Sequence, residues 1–192
     1  MGACMSASHF RHAGSRGVLV LGLDGAGATT ILYQLVLGKR LETIPTLGLN
    51  QESVTVDGLE LECWDIGGLD QVRTLWRQYS RDADAVIFVV DSSDVERLKL
   101  ASTELASLYK GHSKRNSIQH DRPLLIFANK QDTPTAVSTQ QVEKVLKVNY
   151  IHVDTFRIFP CSANNRESLM KGINWLVTEL KGRSPVRPHG DA

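Results

Sequence analysis

The sequence predicts an α/β domain with a six-stranded, mostly parallel sheet, helices on both faces and one antiparallel edge strand. Three observations carry this. Short apolar runs without alternation, at Val18–Leu21, Ala85–Val90 and Leu124–Ala128, read as strands buried on both faces. Helical spacing follows each run, which is the alternation of βαβ units. The stretch Ser53–Trp64 alternates around Asp57-Gly58 and reads as a hairpin, the source of the antiparallel strand.

The elements follow in order. The strand Val18–Leu21 runs into Gly22-Leu-Asp-Gly-Ala-Gly-Ala-Thr-Thr30, a glycine-rich turn, and then a helix to about Leu37 stopped by Gly38-Lys39. Residues Leu41–Asn50 carry Pro45 and Gly48 without a clean period and are expected to form a loop. The hairpin delivers Asp65-Ile-Gly-Gly68, and Val72, Leu75, Trp76 and Tyr79 then show helical spacing. The strand ending at Val90 precedes a helix from Val95 to Tyr109. Basic, unpatterned Lys110–Arg122 is expected to be a solvated loop. The strand Leu124–Ala128 presents Asn129-Lys-Gln-Asp132. A helix near Ser138–Leu146, a strand at Thr155–Phe159, Cys161-Ser-Ala-Asn164 and a helix over Glu167–Leu180 complete the domain. Residues 17–181 are thus expected to form one domain, between a flexible segment 1–16 and a loose tail 182–192.

Bulk properties narrow the classes. A chain of 192 residues with 42% apolar and 22% charged residues can bury a core without metals or disulfides. Its formal charge of +1 argues neither for nor against nucleic acid, and no nucleic-acid partner is expected. Three scattered cysteines, Cys4, Cys63 and Cys161, suggest neither a zinc site nor a disulfide framework, so a reducing cytoplasmic setting is expected. No apolar run approaches the ~20 residues that span a bilayer. The opening Met1-Gly-Ala-Cys-Met-Ser6 matches the N-myristoylation pattern, with Gly2 the acceptor and Cys4 placed for a second acyl chain. Two lipid signals give stable anchoring where one is marginal.

The glycine-rich turn has the context of a phosphate loop, in which backbone N–H groups curl around an anion at a helix N-terminus. It fits G-x-x-x-x-G-K-[ST] at Gly22, Gly27 and Thr29, but Ala28 occupies the lysine position. A dinucleotide fingerprint is disfavoured, because the glycine spacing is wrong and no acid follows at a strand end about twenty residues on.

Taken jointly, the phosphate loop, Thr46, the DIGG stretch at 65–68, NKQD at 129–132 and SAN at 162–164 resemble the small GTPases, and within them the Arf and Arf-like family. GLDGAGATT is similar to that family's GLDxAGKTT, while IPTLGLN and WDIGGLDQVRTLWRQY resemble its two switch segments. The resemblance covers residues 17–181 and implies a GTP/GDP-binding site with Mg²⁺. It implies phosphate contacts from Asp24, Gly25, Ala26, Gly27, Ala28, Thr29 and Thr30. Thr29 and Thr46 would hold the metal, with Asp65 acting on it through water. Thr46 and Gly68 would meet the γ-phosphate. Asp132 would accept from the guanine N1–H and 2-amino group, donors that adenine does not present there. Asn129, Ser162 and Ala163 would complete base recognition, and the Lys130 stem would lie over the ring.

Two departures bear on phosphoryl transfer. Ala28 removes the cation that would bridge the β- and γ-phosphates, and Leu69 stands where the family places the glutamine that orients water. The resemblance implies effectors bound through Leu49, Trp64 and Tyr79, with core packing an open alternative for Trp64. It also implies an exchange factor, an activating protein, acylation of Gly2, and peripheral attachment to the Golgi or another endomembrane. Two readings remain: a membrane-associated GTP-binding switch in vesicle trafficking with weak binding and little hydrolysis, or a nucleotide-independent pseudo-GTPase adaptor.

Overall fold

The computed structural model describes residues 14–39, 43–44, 46–80, 82–109, 121–151 and 153–186. The elements are β1 (Arg16–Gly22), α1 (Ala28–Leu37), β2 (Leu49–Val56), β3 (Leu59–Ile66), α2 (Asp70–Ser80), β4 (Ala85–Asp91), α3 (Val95–Tyr109), β5 (Leu124–Asn129), α4 (Thr139–Leu146), β6 (Phe156–Pro160) and α5 (Arg166–Lys181). The six strands lie in the order β2-β3-β1-β4-β5-β6, and only the β2–β3 pair is antiparallel. The fold expected from the apolar runs is therefore the one formed.

The apolar strands separate two cores. On one face Leu19, Phe88 and Ile126 meet Trp76 of α2, Leu98 and Leu105 of α3 and Val142 of α4. On the other, Val18, Ile87 and Phe127 meet Ile31 and Leu32 of α1 and Leu169 and Ile173 of α5. Successive residues of one strand thus supply opposite cores, which is why these runs lack a polar phase. Local chemistry sets the helix ends. Ser138 accepts from Gln141 N–H while the Gln141 side chain accepts from Ser138 N–H, a reciprocal cap on α4. Asn165 accepts from the Glu167 and Ser168 N–H groups at the start of α5.

Four boundaries differ from the sequence expectation, each for a reason of packing. β1 begins at Arg16, because the buried Arg16 guanidinium donates to the Leu180 and Arg183 carbonyls and lies 3.7 Å from Asp84. β2 begins at Leu49 rather than Ser53, since Leu49 and Asn50 pair with Ile66 and Asp65. Arg122, expected in a solvated loop, is buried and donates to the Ser80 and Ala83 carbonyls. The tail expected to be loose from Gly182 is held through Val186, whose N–H donates to Asp84 at 2.6 Å, and Arg183 donates to Thr155. The remainder of 110–120, the acyl acceptors Gly2 and Cys4, and the last six residues lie outside the described residues.

Trp64 requires a further correction. It was expected on an effector surface with Leu49 and Tyr79, but it is 0% exposed and belongs to the core. Its indole packs under Gly17, where a Cβ would lie 2.6 Å from the ring. Leu49 and Tyr79 are partly buried against the same core. Among the described residues no helix is long and apolar enough to cross a membrane.

Candidate nucleotide site

At the carboxyl ends of β1, β3 and β5 lies a cavity of about 430 Å³. Gly22 to Gly25, Gly27 to Thr30, Thr46, Asp65, Gly68, Asn129, Lys130, Asp132, Ser162 and Ala163 line it, among others. The sequence-selected residues are therefore brought together, with two exceptions. Ala26 is buried behind the loop, where its N–H donates to the Leu23 carbonyl at 3.0 Å. Leu69 packs against the core and is absent from the lining.

The loop's shape comes from its glycines. Gly27 caps α1 with φ 95°, and a Cβ there would lie 2.4 Å from the Asn129 amide nitrogen, so conformation and close approach both demand glycine. Beyond it the first turn of α1 presents N–H groups that have no partner within the helix. Gly68 abuts the loop from the other side, since a Cβ there would lie 2.2 Å from the Gly22 carbonyl oxygen. Ala28, the first residue of α1, lines the cavity at the position where a phosphate-binding cation is expected, packed against the core on the α1 side.

Oxygen atoms converge beside the loop. The Thr29 hydroxyl donates to Asp65 Oδ2 at 2.7 Å and lies 3.0 Å from the Thr46 hydroxyl. Asn50 donates to the same Asp65 oxygen at 3.1 Å. Burial raises the Asp65 carboxyl pKa, and hydrogen bonds from Thr29, Asn50 and Thr46 partly offset it. Two hydroxyls and a carboxylate are hard oxygen donors of the kind Mg²⁺ takes while keeping several waters, so these residues fit that ion. Asn50 was not selected from the sequence. The hairpin as read began at Ser53, but its register carried three residues further finds Asn50, because Asn50 and Asp65 are equidistant from the Asp57-Gly58 turn and pair directly.

The base-side residues divide into readers and braces. Asn129, expected to read the base, lines the cavity and is 1% exposed, with one N–H and the oxygen of its amide engaged. It donates to the Ala26 carbonyl at 2.8 Å and accepts from Ala163 N–H at 3.0 Å. Both bonds tie the phosphate loop to the 162–164 loop, so Asn129 also braces the site, and the Ala163 N–H expected at the base donates to it here. Lys130, at φ 65°, sends Nζ to Asp91 at 2.6 Å, which leaves its stem along the cavity. Burial raises the Asp91 pKa, but the Lys130 and Ser93 hydrogen bonds and the Lys130 charge outweigh it and hold that carboxyl below the usual range. Asp132 is exposed in the cavity wall and accepts from Asn164 at 2.9 Å.

The strand order, the glycine loop after β1 and the acid and NKQD loops at neighbouring strand ends define the small-GTPase class of α/β domains. The profile of the ADP-ribosylation factor family matches residues 5–180. The chain is 42% identical over 164 residues to ADP-ribosylation factor-like protein 1 of Saccharomyces cerevisiae, covering 85% of this chain and 87% of that protein. It is also similar to the Arl6 BBS3 small GTPase of Trypanosoma brucei, solved with the nucleotide analogue GppNp. That match has a TM-score of 0.77 and 32% identity, and covers 88% of this chain and 99% of the other. The chain belongs to the ADP-ribosylation factor family, among its Arf-like small GTPases.

Proposed function

We propose that this protein is a membrane-associated Arf-like GTP-binding switch in vesicle trafficking, with weakened nucleotide affinity and impaired intrinsic hydrolysis. One observation carries the reading: the metal-suited cluster Thr29, Thr46 and Asp65 is assembled beside the phosphate loop, while Ala28 leaves that loop without its cation. The trypanosome relative, a small GTPase solved with the nucleotide analogue GppNp, supports guanine-nucleotide occupancy, and the 42% identity to an ADP-ribosylation factor-like protein of yeast supports the Arf-like reading from which the trafficking role is proposed. Gly2, with or without Cys4, would carry the lipid.

The roles follow from chemistry. N–H groups from Gly25 through Thr29, Ala26 excepted, face the phosphates at the positive end of α1. Thr29 and Thr46 would hold Mg²⁺, with Asp65 placed to act on it through water, and the ion would supply charge neutralisation at the phosphates. Asp132 selects guanine, with the Lys130 stem against the ring and Ser162 in the wall. Loss of the lysine removes a charge-assisted hydrogen bond worth ~1.5–3 kcal/mol, an affinity loss of roughly ten- to a few hundred-fold. Hydrolysis loses that positive charge and also lacks a water-orienting group at Leu69. Effector contact would then run through Leu49 and Tyr79, and exchange and activating proteins would set the nucleotide state.

Ala28 and Leu69 favour the second reading, a nucleotide-independent adaptor anchored at a membrane. Titration of the purified chain with labelled GTP, GDP and ATP, with and without Mg²⁺, separates them. The switch reading expects guanine-selective, magnesium-dependent binding. No binding at millimolar nucleotide overturns it and leaves the adaptor.

A further inference from the structure

Asp24 is the one ionised side chain within the phosphate loop Gly22–Thr30, and it carries the wrong sign for a phosphate ligand. It lines the cavity, and with Ala28 beside it no cation of the loop offsets the carboxylate. The offset comes from α3. Arg97, 73 residues away, donates from one guanidinium nitrogen to the Asp24 carbonyl at 2.7 Å and from the other to Asp24 Oδ1 at 2.5 Å. This two-pronged grip matches the planar fork of arginine and cannot be reproduced by lysine. The guanidinium approaches the outer side of the turn, 3.9 Å from where a Gly25 Cβ would stand. Arg97 is itself placed by its own N–H, which donates to the Asp94 carboxylate at the start of α3.

We infer that Arg97 is a positioning residue for nucleotide binding: it neutralises Asp24 and fixes its carbonyl, so that a loop without its lysine still accepts a polyphosphate. The inference rests on the nucleotide-binding reading above and assigns within it the residue that makes binding possible despite Ala28. A loop carrying the usual lysine would tolerate an unmasked Asp24, because its net charge would be zero. This chain's loop would then be net negative where the phosphates sit. The cost is electrostatic, so it grows with phosphate charge and shrinks with salt.

Nucleotide titrations of the full chain and its Arg97→Ala, Arg97→Lys, Asp24→Asn and Asp24→Asn/Arg97→Ala variants test this, at low salt and at high salt. Arg97→Ala should weaken GTP binding about tenfold at low salt, the size expected for one like charge a few ångströms from the phosphates, with a smaller loss for GDP. The double variant should return to within about threefold of the wild type, because the charge that needed masking is gone. Arg97→Lys should fall between, and high salt should narrow the Arg97→Ala deficit. An unchanged affinity in Arg97→Ala overturns the inference. So does a double variant as weak as Arg97→Ala, or Asp24→Asn alone losing affinity equally, since either result assigns the pair a purely shaping role. If the wild type binds no nucleotide, the functional reading fails, and the inference is judged in an Ala28→Lys background, where Arg97→Ala should cost less than about threefold because the lysine offsets Asp24; a loss of about tenfold there overturns it. No binding in either background overturns both.

Discussion

Restoring the missing cation with Ala28→Lys should produce two effects of opposite sign. Ala28 is the first residue of α1 and lines a cavity of about 430 Å³ at the edge of the core, so open space lies beside it for a lysine stem. In the nucleotide complex the ammonium gains a charge-assisted bond worth ~1.5–3 kcal/mol, so GTP affinity should rise roughly ten- to a few hundred-fold. In the free protein the same charge sits at the positive end of the helix dipole, which costs ~0.3–1 kcal/mol. The variant should therefore melt at a lower temperature than the wild type without nucleotide. With GTP in excess it should melt higher, because ligand bound to the folded state stabilises it by mass action. Labelled-GTP titration and paired thermal melts measure both. An affinity gain below about threefold would refute the assignment of position 28 as the phosphate-facing cation site. A rise in nucleotide-free melting temperature would refute the dipole argument.

Leu69→Gln alone should raise single-turnover hydrolysis by less than about tenfold, because the residue is held against the core and the cation is still missing; recovery of ~10²-fold, the lower worth of a positioned proton-transfer group, would contradict this. Asn50→Ala removes one of the donors that hold Asp65 Oδ2 and should raise the Mg²⁺ concentration needed for half-maximal GTP binding by about tenfold or more, as expected for a partner that orients a metal-binding group. For Cys63, burial first and the nearby acids Asp65, Glu52 and Glu62 next push the thiol pKa up to about 12. The folded state thus holds the neutral thiol, and its stability contribution is full below pH 9 and lost as pH rises from about 9 toward 12. Iodoacetamide at pH 8 should accordingly leave Cys63 unmodified in the native protein and alkylate it in denaturant; native-state labelling as fast as the denatured rate would sink that account.

The two sides of the site were unequally legible. Gly22, Gly27, Thr29 and the DIGG turn were readable because their chemistry is local: glycine spacing, a strand end and a helix start are encoded within a few residues. Asn129 was legible as a site residue, but only part of its work was. Its type suits a base edge, and in the fold one amide N–H also meets the Ala26 carbonyl while the oxygen accepts from the Ala163 N–H, a bracing role with no local signal. Trp64 illustrates the same limit. An aromatic residue before an acid suits either a surface or a core, and only the absence of a side chain at Gly17 makes room to bury it.

By itself the sequence determined the alternation of strands and helices, the parallel sheet, the hairpin at its edge and the position of a phosphate loop, all of which follow from periodicity and backbone preference. It also exposed the two anomalies, Ala28 and Leu69, because a missing functional group is visible without coordinates. Only the tertiary structure decided which polar groups spend themselves on each other: Asn50 on Asp65, Asn129 across two loops, Arg16 on the end of α5, and Arg97 on Asp24. The physical reason is that a hydrogen bond or ion pair depends on distances of a few tenths of an ångström between chain segments. Separations of up to 164 residues along the chain leave no local trace of those distances.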